Sequence, residues 1–136
     1  MVTETSPRLR AGLPLVAGSL ALDLAAIVIF AAAGRNTHEH GLAAVGILLT
    51  AAPFLIGALV GWAAMRAWRG PTALWPTGVA VWLAAVVLGL ALRGLAGGGL
   101  ALSFQIVTFL VLGALLLGWR AVAALFIKLR FRRRVE

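Results

Sequence analysis

One carboxylate, Asp23, sits in the run LALDLAAIVIF at residues 20–30, where every other side chain is apolar. An acid at the centre of a bilayer costs about 2.5–3.5 kcal/mol on insertion scales, so it must face protein. Two kinds of chemistry are open to it there. It can handle a proton or an ion along a polar path, or it can join helices through hydrogen bonds worth about 0.6 kcal/mol each on average. Thr50, Ser103, Gln105 and Thr108 are the other polar side chains at or somewhat above that level. With Pro53, which can free a backbone carbonyl, they are expected to line together a small polar cavity that opens outward. Trp82, in the middle of an apolar run, offers an indole N–H that a buried acid can use.

The remaining chemistry-bearing residues lie near the ends of apolar runs. Arg35, His38 and Arg93 form a charged set at one end, where an arginine can attract an anion or reach up to headgroups. HEH at 38–40 holds metal-ligating types, but the chain has no Cys and no other His, so no metal site and no cofactor are expected. Asp23 and His38 are 15 residues apart, over 20 Å of helix, and cannot serve as an acid and base in one site. With no nucleophile beside a base and no phosphate-cradling loop, no enzymatic activity is expected. Arg120 is expected at the lipid headgroups with Lys128, Arg130, Arg132, Arg133 and Arg134, because helix rise sets it on the order of 13 Å from Asp23. Trp62, Trp68, Trp75 and Trp119 fall at span ends, as an aromatic belt requires.

The elements that must position these residues are transmembrane helices. The 136-residue chain is 62% hydrophobic and 12% charged, against roughly 25% charged in soluble domains, which excludes a soluble globular class. Four runs reach the roughly 20 residues that a helix needs to cross the bilayer, at 11–34, 42–65, 75–96 and 100–125. They form one domain, 11–125, between a short N-terminal segment, 1–10, and a basic tail, 126–136. The expected fold is an all-α integral membrane bundle of four antiparallel helices, since the breaks between them are short.

The formal net charge of +8 lies at the ends of apolar runs, a pattern that points to anionic lipid headgroups and away from nucleic acid. Arg8, Arg10, Arg66, Arg69 and the tail share one face, whereas only Arg35 and Arg93 lie near the other. That asymmetry predicts cytoplasmic termini and a plasma-membrane protein. The first run is longer than a signal-peptide core and is interrupted by Asp23, which favours a retained helix. Gly57 and Gly61 in GALVG permit close helix approach, either within the bundle or between protomers of a homo-oligomer.

An offset of 59 aligns LDLAAIV (22–28) with VWLAAVV (81–87), and GALVGWAAMRA (57–67) is similar to GALLLGWRAVA (113–123). The chain therefore reads as two duplicated helical hairpins, with Asp23 and Trp82 at equivalent positions facing one another across a pseudo-twofold axis.

The motifs D…GRNTH, APFLIGALVGW, WPTGVAVW, LRG, LSFQIV and LGWRA occur in this order. In this the chain resembles the DUF3054 family of small actinobacterial and archaeal membrane proteins, over nearly its whole length from Pro14 to Ala124. The resemblance emphasises Asp23, Arg35, His38, Pro53, Trp62, Trp82, Arg93, Phe104, Trp119 and Arg120, and implies a four-helix membrane protein without a known activity. On the residues themselves, the expected function is a small transporter or channel whose path contains Asp23. The alternative is a non-catalytic subunit or assembly factor of a larger membrane complex.

Overall fold

The computed structural model describes residues 12–36 and 44–135. They are helical almost throughout: α1 is Leu13–Asn36, α2 Ala44–Met65, α3 Val79–Leu95 and α4 Leu102–Val135. At 1.5 Å per residue the 24 residues of α1 and 22 of α2 extend about 36 and 33 Å, enough for a hydrocarbon core of about 30 Å. An irregular turn at Leu74–Gly78, with Trp75 extended (φ −123°, ψ 134°), leads into α3, and the stretch Leu74–Leu95 provides 22 residues. The 34 residues of α4, about 51 Å long, run past the apolar stretch and carry Lys128 to Arg134 on the same unbroken helix.

Each helix keeps a large apolar surface uncovered. Ile29 is 60% exposed, Leu49 69% and Leu110 60%, and many Leu and Val side chains around them are similar. Contiguous apolar surface on this scale does not persist in water, and hydrocarbon is the solvent that accepts it. With four helices of spanning length, the chain is a multi-pass membrane protein.

The closest helix pair is α2 with α3, and glycines make it so. A Cβ added at Gly57 would lie 2.7 Å from the Ala84 carbonyl oxygen, and one at Gly61 would lie 2.8 Å from Ala84 Cβ. The GALVG face is therefore spent inside the bundle, against α3. At the same pair, Gly89 of α3 lets the Phe54 ring of α2 lie directly on its backbone. Phe54 in turn meets Phe30 of α1 edge-on, with ring centroids 5.6 Å apart, and Phe104 of α4 at 6.3 Å, so one aromatic cluster ties three helices together.

Two connections complete the bundle. After α2, Arg66 takes a left-handed conformation (φ 49°, ψ 53°) and leads through a short turn at Ala67–Arg69 to Pro71. After α3, Gly97 supplies the positive φ of 83°, and the Gly98 N–H closes the helix end on the Arg93 carbonyl at 2.9 Å. Pro14, Thr72 and Phe126 line one groove, so the start of α1, the α2–α3 connection and the late turns of α4 share an end of the bundle, here the terminal end. Arg35 and Arg93 lie at the opposite end, where they line one pocket.

Candidate functional site

Asp23 is fully buried and accepts four hydrogen bonds, two on each carboxylate oxygen. Oδ1 accepts from Arg120 Nη1 and from Trp119 Nε1, both at 2.8 Å. Oδ2 accepts from Arg120 Nη2 at 2.7 Å and from Trp62 Nε1 at 2.8 Å. The guanidinium thus meets the carboxylate fork to fork, the arrangement that its planar N–H geometry favours. Arg120 is itself fully buried. Its Nε donates to the Pro71 carbonyl and its Nη1 also to the Leu116 carbonyl, each at 3.0 Å. Its face lies 4.4 Å from the Trp119 ring, whose N–H serves the same acid. Gly78 leaves room for the Arg120 stem, since a Cβ there would come within 2.9 Å of Arg120 Cδ. Among the described residues every buried side-chain nitrogen and oxygen has a partner. The cluster joins α1, α2, α4 and the α2–α3 connection at a single acid.

This corrects two expectations. Arg120 is not at the headgroups; it is the counter-ion of Asp23. Helix rise alone measures Cα heights, and both side chains shorten that gap because a Cα–Cβ bond tilts toward the N-terminus of its own helix. In antiparallel α1 and α4 the tilt carries Asp23 toward the terminal end and the long Arg120 away from it, so the two converge. Trp82 is not the donor to Asp23. Its Nε1 donates to the Phe109 carbonyl at 3.0 Å, and its ring packs 4.6 Å from Phe109 in a slot that Gly113 leaves open. The donors are Trp62 and Trp119, which serve the acid and not the aromatic belt that their positions near span ends suggest. The signal for them was available: an acid buried among apolar helices needs N–H donors, and indoles on two other helices near its depth can supply them.

Of the polar side chains expected to line one outward-opening cavity, Thr50 and Ser103 line a pocket of about 670 Å³ at the end opposite the termini, whereas Asp23, Gln105 and Thr108 are not part of it. Gln105 instead donates to the Leu100 carbonyl at 2.8 Å, and the buried Thr108 hydroxyl donates to the Phe104 carbonyl at 2.7 Å. The pocket holds both arginines of that end. Arg35 Nη1 donates to the Thr50 hydroxyl at 3.3 Å, which passes its own proton to the Gly46 carbonyl at 3.0 Å. Gly46 leaves space for the Arg35 guanidinium, which would collide with any Cβ at that position. Arg93 is fixed twice over, by Nε on the Gly99 carbonyl at 3.0 Å and by its face 4.4 Å over the Phe104 ring. Its Nη1 and Nη2 make no hydrogen bond among the described residues. Asp23 is the only acidic side chain among the described residues, and it lies outside this pocket. His38, with Glu39 and His40, lies outside the described residues.

Both clusters fall within residues 20–123, the stretch matched by the model of a family described as a protein of unknown function, DUF3054. The chain belongs to the DUF3054 family. No curated protein and no solved structure matches it. Of the positions that the DUF3054 resemblance emphasised, Asp23, Trp62, Trp119 and Arg120 form the buried cluster, Arg35, Arg93 and Phe104 line the pocket, Pro53 and Trp82 belong to neither, and His38 lies outside the described residues.

Proposed function

We propose that this DUF3054 protein receives an anionic solute in the arginine-lined pocket opposite its termini, as the binding step of a small transporter or channel. The observation that carries this reading is the Arg93 fork. Its Nε and its ring-stacked face hold the guanidinium in place, while its two terminal nitrogens remain uncommitted in a pocket without an acid among the described residues. A pre-positioned guanidinium fork matches the paired oxygens of a carboxylate or phosphate, and little ordering entropy is left to lose. Arg35 adds positive charge and Ser103 a hydroxyl donor on the walls, and Phe30 and Phe104 give an organic anion an apolar surface to lie on.

Asp23 is not the carrier in this reading, because both of its oxygens are filled by donors that three other segments hold in place. The distribution of charge supports cytoplasmic termini at the plasma membrane, with the pocket outside: Arg66, Arg69 and the five basic residues of the α4 extension are at the terminal end, and Arg35 and Arg93 at the other. The subunit or assembly-factor alternative draws no support from Gly57 and Gly61, which α3 covers.

The test is titration of the full chain in zwitterionic nanodiscs with inorganic phosphate, acetate and a short-chain alkyl phosphate, for wild type and Arg93→Gln. Loss of a charge-assisted fork is expected to weaken saturable anion binding roughly 10- to 100-fold. Absence of saturable binding by any of the three probes, or equal binding by the variant, overturns the reading.

A further inference from the structure

At the terminal end, α1 and α4 leave a shallow apolar groove of about 690 Å³. Leu15 and Leu22 wall it on α1, Val122 and Phe126 on α4, and Gly18 is its floor. A Cβ built at Gly18 meets nothing within 4 Å, so the groove is open down to the backbone. From Pro14 to Leu22 it extends about 12 Å along α1, a length suited to a stretch of acyl chain.

The groove face of α4 does not end with the groove. Trp119, Val122 and Phe126 recur at three- and four-residue intervals, and the same stripe continues to Arg130 and Arg133. Those two residues are four and seven positions beyond Phe126, about 6 and 10.5 Å along the helix. Helical side chains leave the backbone tilted toward the helix N-terminus, which from both residues is the direction of the groove's mouth. No acid among the described residues balances them, since Asp23 is fully engaged by Arg120, Trp62 and Trp119.

We propose that groove and stripe together form a site for one anionic phospholipid, with an acyl chain along Gly18 and the phosphate at Arg130 and Arg133. Charge complementarity selects the occupant. A zwitterionic lipid fills the groove equally well but brings its own cation to the arginines.

The experiment is native mass spectrometry of the delipidated full chain offered equal phosphatidylglycerol and phosphatidylcholine, with folding checked by circular dichroism. Phosphatidylglycerol is expected to be retained in preference. Arg130→Gln with Arg133→Gln should reduce that preference roughly 30-fold, the contribution of two arginines at an anionic surface. Lys128→Gln with Arg132→Gln removes the same charge from the other side of the helix and should leave most of the preference. Gly18→Leu, whose Cβ meets nothing within 4 Å, fills the floor and should lower retention of both lipids. Inorganic phosphate should not displace the lipid. Equal retention of the two lipids, equal loss from the two double variants, indifference to Gly18→Leu, or displacement by free phosphate would each overturn the proposal.

Discussion

Removing either partner of the buried pair should cost far more than removing both. Arg120→Met leaves the Asp23 carboxylate with only the two indole donors, and Asp23→Asn leaves the guanidinium without a counter-charge, its acceptors reduced to the Pro71 and Leu116 carbonyls and one amide oxygen that the indoles also seek. Stranding one member of a buried ion pair costs about 3–5 kcal/mol, so independent sites would give about 6–10 kcal/mol for the double variant. In the double variant both charges are gone. The remaining defect is an asparagine amide that faces two indole N–H groups and can accept well from one, a loss of about 1–3 kcal/mol. The coupling energy is therefore on the order of 5 kcal/mol. It can be measured by titrating dodecyl sulfate into mixed micelles while following tryptophan fluorescence, to which Trp62 and Trp119 at the site contribute directly. If Arg120 swings out to the headgroups once Asp23 is neutral, Asp23→Asn will cost less than Arg120→Met, and the coupling will shrink but keep its sign. A double variant that loses the sum of the two single losses to within about 0.5 kcal/mol would refute direct pairing.

The same titration should rank the tryptophans. Trp62→Phe and Trp119→Phe each remove a hydrogen bond to a charged group and should cost about 1.5–3 kcal/mol, whereas Trp82→Phe, which loses a bond to a backbone carbonyl, should cost about 1 kcal/mol. Equal losses at all three would remove the special status of Asp23. Gly57→Ala should destabilise by about 1–3 kcal/mol, because its Cβ would press on the Ala84 carbonyl, and Gly18→Ala, which faces open space, should not. Because the chain has no cysteine, orientation can be read with single introduced thiols. An impermeant maleimide on intact cells should label Ala96→Cys and spare Arg132→Cys, and the reverse pattern would place the pocket in the cytoplasm.

The four spanning helices were legible because hydrocarbon imposes one requirement on all of them, a long apolar run, and composition records it directly. The partners of Asp23 were not legible, because pairing depends on which way each helix runs and leans as well as on residue spacing. Trp62 and Trp119 illustrate the ambiguity: an indole near the end of a span serves an interface or a buried acid equally well, and only the rotation of its helix decides. The pocket was half legible. Arg35 and Arg93 stood out as charges at one end, and Thr50 and Ser103 as polar residues at membrane depth, but the contact of Phe104 with Phe30 and Phe54 that puts its ring beneath Arg93 is a product of packing. The Asp23–Trp82 pairing expected from an offset of 59 residues failed for a related reason. The offset compares helices by sequence similarity, and Leu/Ala-rich helices share that similarity whichever face they turn inward.

The buried pair answers a problem that apolar helices have among themselves. Leucine and alanine gain little by leaving lipid for one another, so packing alone specifies rotation and register weakly. In α2 and α3 close glycine contacts supply that specification, but Gly18, on α1 near its contact with α4, meets nothing within 4 Å. There, one acid with four directed donors does what shape does not. Rotating α1 by one residue, about 100°, would turn Asp23 away from Arg120 and strand both charges, whereas it would exchange one apolar contact for another elsewhere. A bundle locked in this way at its terminal end does not depend on contacts at the pocket end to fix the register of α1 and α4.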